Sequence, residues 1–252
     1  FHCFTLLSMQ TADDQKRMIA LGIAAEKVVH FGNLKYEMPG KPLLAIGFDQ
    51  PVYQSGGQPI IWVCGSTHSG EEELLLAAFK ELALDEGLKE RLLLILAPRD
   101  ISRGKELVQM AQDLGLEAGT RSKDIALDTT TKVIILDTLG ELAACYSLAR
   151  LAFIGGSLVP QGGHNPIEAA VRGVPILFGH HMEDFSEIAQ DLIMCGGAKT
   201  VSTKKLARTA SAILFQDDLH RTMAKAARTL VEEQQGGVQQ HVQAIKHLLQ
   251  KR

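Results

Sequence analysis

Between residues 151 and 179 the chain reads Leu-Ala-Phe-Ile-Gly-Gly-Ser-Leu-Val-Pro-Gln-Gly-Gly-His-Asn-Pro-Ile-Glu-Ala-Ala-Val-Arg-Gly-Val-Pro-Ile-Leu-Phe-Gly, and few folds can accommodate it. The apolar run at 151–154 has the length and composition of a strand buried on both faces. Gly155-Gly156-Ser157 follows, where a backbone can come close to a ligand. A second pair, Gly162-Gly163, precedes His164-Asn165-Pro166, with Asn165 placed as an N-cap and Pro166 as the first helical residue. Arg172-Gly173 closes that helix, and residues 174–178 form the next buried strand. This is a strand-helix-strand unit of a parallel sheet, with its loop at the carboxyl end of the first strand, where such sheets hold ligands.

A helix start of this kind presents unpaired N–H groups and a positive dipole end to an anion, most naturally a phosphate. Glu168, on the first turn, is placed to accept hydrogen bonds from a ribose diol. A tight turn with a dipole-complementing glutamate is the alternative, but two glycine pairs flanking one capped helix start favour an anion or nucleotide site. Simpler signatures do not fit. Gly155 to Val159 lacks the final glycine of a nucleophile elbow, and neither a Gly-Lys-Ser/Thr phosphate loop nor a Gly-x-Gly-x-x-Gly fingerprint occurs.

The remaining chain repeats the alternation of apolar strands and amphipathic helices, which defines the fold class as α/β, a Rossmann-like parallel sheet with helices on both faces. Residues 60–64 form a strand ending in Gly65-Ser66-Thr67. The next helix carries Leu74, Leu75, Ala78 and Leu82, with Ser69 and Glu72 as a capping box and Glu72 and Glu73 complementing the dipole. Residues 92–97 form a strand followed by Pro98-Arg99, whose guanidinium fork suits a phosphate or carboxylate. Residues 102–116 read as a helix, 133–136 as a strand running into Asp137-Thr138, and 198–201 as a short strand, giving six parallel strands. Before them, a strand at 1–7, a helix opening at Thr11 and closing at Gly22, and a strand at 27–33 are too little to bury their own faces.

Composition narrows the function. The 252 residues, 46% of them hydrophobic, can bury a real core. A net charge of -3 gives no general attraction to nucleic acid or an anionic membrane. Cys3, Cys64, Cys145 and Cys195 are scattered, which suggests neither a zinc site nor a disulfide framework. The His180-His181 pair has no acidic residue at metal-site spacing, so no metal is expected. No apolar run reaches the roughly 18 residues of a membrane span. The chain starts without an initiator methionine, which suggests a fragment.

Phe153-Ile154-Gly155-Gly156-Ser157-Leu158-Val159-Pro160, then Gly162-Gly163-His164-Asn165-Pro166-Ile167-Glu168, resembles the nucleotide-sugar loop of the 3-deoxy-D-manno-octulosonic acid (Kdo) transferases of lipopolysaccharide synthesis. Ser66-Thr67-His68-Ser69-Gly70-Glu71-Glu72-Glu73, Pro98-Arg99, the Asp-Thr-x-Gly-Glu-Leu of residues 137–142 and His181-Met182 with Phe185 are similar to further motifs of that family. His180, where the family has Pro, and Asp100 depart from it. The resemblance implies the donor-binding half of a glycosyltransferase B enzyme. Residues 1–38 would be a remnant of the acceptor domain, 39–58 a linker, and 59–252 the nucleotide-sugar domain. The parent would transfer Kdo from CMP-Kdo to the lipid A precursor at the cytoplasmic face of the inner membrane, without a cofactor.

The implied donor contacts are Ser66, Thr67, Arg99, Gly155, Gly156, Ser157, Gly163, His164, Asn165 and Glu168. Loop amides at Gly155, Gly156 and Gly163 would serve the CMP, with Asp137, Glu141 and His181 in support. The catalytic base would belong to the missing domain, leaving this chain soluble, cytoplasmic and inactive alone, with the lipid acceptor held elsewhere and no nucleic-acid partner. A UDP-sugar transferase or epimerase donor domain, or a non-catalytic binding fragment, are the alternatives.

Overall fold

A computed structural model of the chain describes residues 3–37, 59–85, 91–123 and 131–250. The expected linker at 39–58 lies outside the described residues. The elements in chain order are β1 (Leu7–Met9), α1 (Ala12–Ala20), β2 (Val28–His30), β3 (Ile60–Thr67), α2 (Glu72–Leu82), β4 (Leu92–Pro98), α3 (Gly104–Asp113), β5 (Ala118–Thr120), β6 (Val133–Ile135), α4 (Leu142–Tyr146), β7 (Leu151–Ile154), α5 (Ile167–Ala170), β8 (Ile176–Phe178), α6 (Ser186–Met194), β9 (Ala198–Thr200), α7 (Leu206–Phe215), α8 (Asp217–Gln234) and α9 (Gly237–Gln250).

Two compact units divide the chain, Phe1–Gly40 with Leu230–Arg252, and Lys41–Thr229. Residues 59–252, expected from sequence as one nucleotide-sugar domain, contribute to both units. In the first unit β1 and β2 pair in parallel, Thr11 caps α1 by accepting from the Asp14 N–H, and Ser8 and His241 are hydrogen-bonded at 2.8 Å.

The second unit is built on a parallel sheet of order β5-β6-β4-β3-β7-β8-β9. That is seven strands rather than the expected six. The additional edge strand, Ala118-Gly119-Thr120, is too short and too poor in β-branched residues to be visible as a strand in sequence. The central strands are continuous apolar runs because helices cover both faces: all seven residues of β4 are buried. Leu75, Leu76, Phe79 and Leu82 supply the buried stripe of α2 at helical spacing, packed with Trp62, Leu94 and Phe153 of the sheet.

Chain order reverses between β3 and β7, since from β3 the sheet grows through β4 in one direction and through β7 in the other. This switch point opens a crevice beyond the carboxyl ends of the two strands. Two local expectations fail nearby. Ser69 does not cap α2; Gly70, at φ +90°, turns the chain and Glu71 takes the N-cap position without a side-chain capping bond. The helix after the second glycine pair is only four residues long and has Pro166, not Asn165, at its N-cap position, with Asn165 Oδ1 one residue ahead accepting from the Ile167 N–H at 3.0 Å.

Candidate functional site

The switch point is closed by a buried carboxylate that sequence placed only within a family motif. Glu71 is fully buried, and its two oxygens accept from the N–H groups of Gly156 at 2.6 Å, Ser157 at 2.9 Å and Leu158 at 2.8 Å. A fourth donor is the His68 N–H at 3.1 Å, in its own loop. Charge-assisted bonds of this kind are the strong ones. They clip the β3–α2 loop to the loop after β7.

This clip settles the expected amide cradle. The Gly156 N–H is held by Glu71, the Gly155 N–H donates to the Gly65 carbonyl at 2.8 Å, and the Gly163 N–H donates to the Gly156 carbonyl at 2.9 Å. None of the three remains for a phosphate, because the chain's own carboxylate and carbonyls have taken them. The glycines are needed for another reason. A Cβ on Gly155 would lie 2.3 Å from the Ser66 carbonyl oxygen, and Gly162 and Gly163 turn the chain at φ +78° and +75°.

Beside this clip a cavity of about 420 Å³ opens at the ends of β3, β4, β6 and β7, within the roughly 300–1,000 Å³ of small-molecule sites. Gly65, Ala97, Pro98, Ile101, Leu136, Leu142, Ala143, Tyr146 and Ile154 give it apolar walls, with Leu139 and Phe185 at hand, and Ser66, Arg99, Thr138, His164, Asn165 and Glu168 supply polar groups. The strands bring together five residues expected from sequence: Ser66, Arg99, His164, Asn165 and Glu168.

Each is held differently. Ser66 occupies a bulge in the β3–β4 pairing at φ +56°, a left-handed backbone outside glycine. Arg99 is exposed, its backbone fixed by donation to the Thr67 carbonyl at 2.8 Å, and among the described residues no carboxylate forms an ion pair with it. Burial pushes the Glu168 carboxyl above its ordinary range, partly offset by the positive charge of Arg172, which donates to the Glu168 backbone carbonyl at 2.7 Å. His164 meets His68 with Nε2 atoms 2.8 Å apart. Burial first, then His68 and Arg99, push its imidazole below the usual histidine range, and Asp184 opposes them.

Other expected contacts stand outside the cavity lining. Thr67 is buried beside Glu72. Ser157 is buried, donating to the Ile154 carbonyl at 2.5 Å and accepting from the Gly179 N–H at 2.8 Å, so it pins β7 to the turn after β8. Asp137 accepts from the Ser122 N–H and hydroxyl, Glu141 pairs with Arg121 and accepts from the Thr138 hydroxyl, and His181 contacts Glu183 at 3.1 Å. Each of the three thus makes its contacts to residues of its own or a neighbouring loop. Sequence missed Glu71 and His68. It also read Glu72 as a dipole partner, whereas Glu72 is buried and bound by Arg103 at 2.9 Å; its position three and four residues before Leu75 and Leu76 was the signal of a buried face.

An α/β sheet with its cavity at the switch point and a glycine-rich loop after the strand beyond it is the arrangement of glycosyltransferase B donor domains. A putative UDP-N-acetylglucosamine 2-epimerase from Listeria monocytogenes shares the fold, with a TM-score of 0.61 over 98% of this chain and 60% of that one, at 17% identity. Within that class the likeness is to the Kdo transferases. The chain is 29% identical to the Haemophilus influenzae 3-deoxy-D-manno-octulosonic acid transferase over 249 residues, 98% of this chain and 58% of that one. It is 31% identical to the Aquifex aeolicus enzyme over 191 residues, 74% of this chain and 48% of that one. The C-terminal CMP-Kdo binding domain of WaaA from Acinetobacter baumannii superposes with a TM-score of 0.65 at 27% identity, covering 69% of this chain and 90% of that domain. No protein-family model matches the chain. The chain spans about half the length of the curated relatives it matches.

Proposed function

We propose that this chain supplies the donor site of a Kdo transferase, and that its parent protein moves Kdo from CMP-Kdo to the lipid A precursor. The observation carrying this reading is the agreement, in both sequence and fold, with a domain described as CMP-Kdo binding. A cavity of small-molecule size, with Arg99, Asn165 and Glu168 among its lining, is present in the second unit. On this reading the Arg99 guanidinium contacts the donor's phosphate or carboxylate, with Ser66 and Asn165 adding hydrogen bonds and Glu168 taking the ribose hydroxyls. With the amides of the glycine loop already engaged, anion recognition falls to side chains. No cofactor takes part, and the acceptor is a lipid at the inner membrane. No helix among the described residues is long and apolar enough to cross a membrane.

A UDP-sugar enzyme is the second reading, favoured by the shared fold of UDP-bound neighbours such as the S. aureus MnaA structure, TM-score 0.56 at 15% identity. Calorimetric titration with CMP, UDP and NAD decides between them. Selective CMP binding, weakened in Arg99→Ala and Glu168→Ala, is the expected result; selective UDP binding would overturn the CMP-Kdo reading.

A further inference from the structure

Two imidazoles meet at the cavity in a way that counts protons. His68, in the loop after β3, and His164, just before α5, have Nε2 atoms 2.8 Å apart, ring centroids 5.1 Å apart and planes within 5° of one another. So long a centroid separation at so short a nitrogen contact requires the rings to lie end to end in nearly one plane, which is the alignment of a linear N–H···N hydrogen bond. One nitrogen must donate and the other accept, because two Nε2–H groups at 2.8 Å would repel and two bare nitrogens would have no hydrogen to share. The pair therefore accommodates one excess proton, as an imidazolium donating to an imidazole, and a second would break the contact.

The surroundings oppose that proton while the cavity holds no anion. Burial and the Arg99 guanidinium both disfavour the charged His164, and the Asp184 carboxylate is the opposing influence. Glu71, whose oxygens are consumed by four backbone N–H groups, fixes the His68 backbone and hence the approach of the two rings. Among the described residues Arg99 has no carboxylate partner. An anionic group entering beside Arg99 and His164 cancels the repulsion between them and reverses the balance.

We propose that His68 and His164 act as one proton-binding pair that recognises the anionic group of the donor, taking up a proton as phosphate or carboxylate oxygens enter the cavity beside Arg99. This rests on the donor-site reading above and adds His68 to the site. The proton moves from solvent to the shared nitrogen pair, and no bond is made or broken in the ligand. Discrimination follows: a neutral ligand cannot draw the proton in, so the site favours a nucleotide that brings its charge to this wall.

The test is calorimetric titration of the whole chain with CMP, in two buffers of different ionisation heat, between pH 6 and pH 8. The wild type is compared with His68→Asn and His164→Asn, which retain polar groups but leave a single imidazole that cannot share the proton with a second. CMP's own phosphate titrates in all three proteins, so the difference between them isolates the pair. The wild type should take up more proton per CMP than either variant, and its affinity should rise more steeply as pH falls, the extra slope approaching at most about tenfold per pH unit, which is the linkage limit for one proton. Imidazole NMR should show the two rings titrating as a unit that takes one proton, with a midpoint that moves up on binding. Equal proton uptake in wild type and variants, or two rings titrating independently, overturns the proposal. Free Kdo, with only a carboxylate, and CMP, with only a phosphate, identify which anion is read; uptake with cytidine, which has neither, overturns it as well. Failure of CMP to bind would remove the donor-site reading instead. The pair is then judged with inorganic phosphate: an upward shift of the shared midpoint upholds it and no shift overturns it.

Discussion

Ser66 is, among the described residues, the non-glycine residue held in a left-handed backbone. A non-glycine residue at φ +56° costs on the order of 1 kcal/mol or more, yet a serine is retained there, with its side chain on the cavity wall. Ser66→Gly should raise the unfolding free energy by about 1 kcal/mol in urea titration while weakening CMP binding roughly two- to tenfold, the worth of one neutral hydrogen bond. Stability and affinity moving together would show that the hydroxyl serves no ligand. Gly155 is the opposite case. An alanine Cβ there meets backbone atoms of Ser66 and Thr67 at 2.3–2.6 Å, and backbone cannot swing aside, so Gly155→Ala should cost about 3 kcal/mol or more by the same measurement. Glu168 combines both themes. Its carboxyl is raised by burial, so the protonated form is the one the fold favours, and that contribution is full below its ordinary value and lost as pH rises through the raised one. Above that range its charge is a burden on the unliganded protein. Glu168→Gln should therefore melt higher than wild type at pH 7 and lose that advantage near pH 4, whereas Glu168→Ala should bind CMP about ten- to a hundredfold more weakly, the loss of a charged hydrogen-bond acceptor. A Glu168→Gln protein no more stable at pH 7 would contradict the assigned burial cost.

Among elements, the join between the β3–α2 loop and the β7 loop matters most, and it depends on Glu71. Residues 71 and 156–158 are separated by more than eighty positions, yet three backbone N–H groups of one loop end on a carboxylate of the other. Glu71→Ala strands those buried donors and should destabilise the second unit by about 3 kcal/mol or more. Glu71→Gln should recover only part of this, because its amide NH2 faces donors rather than acceptors. A Glu71→Gln variant with wild-type urea stability would falsify the charged clip. This join also marks the limit of what the sequence discloses. Strands β3, β4, β7 and β8 are apolar runs closed by glycine or proline and β6 is one closed by Asp137, and a parallel sheet makes such runs legible because both faces are buried. Asn165 and Pro166 locate a helix start by local chemistry alone. Whether the glycine-loop amides are free is a different matter, since their partner comes from a distant loop and three consecutive glutamates look alike in sequence. Glu71, Glu72 and Glu73 divide into a loop clip, a buried partner of Arg103 and an exposed residue, a division made by tertiary packing. Strand β5 was invisible because three residues at a sheet edge carry no periodicity.

At the scale of the molecule, the first unit is not a stretch of sequence but a meeting of the two ends of the chain. Its sheet has two strands with three paired positions, and such a pair with one helix is marginal in water. The late residues supply what is lacking. His241 is hydrogen-bonded to Ser8 and lies edge-on to Phe31 with centroids 5.0 Å apart, the Gly236 N–H donates to the Glu37 carboxylate at 2.6 Å, and Gly237 packs against the Phe31 carbonyl where no Cβ would fit. The cavity draws only on residues between 65 and 185, all in the second unit, while Met223 and Ala227 of α8 remain buried ahead of position 230. A chain ending at residue 229 should therefore separate the two. Backbone amides of β1 and β2 should lose protection from hydrogen exchange by at least about tenfold, a change of about 1.4 kcal/mol in local opening. The amides of β3, β4 and β7 should keep theirs, and CMP affinity should stay within about twofold of the full chain. Loss of CMP binding on this truncation would mean that the donor site draws on the chain's last residues, and the second unit could not then be its sole bearer.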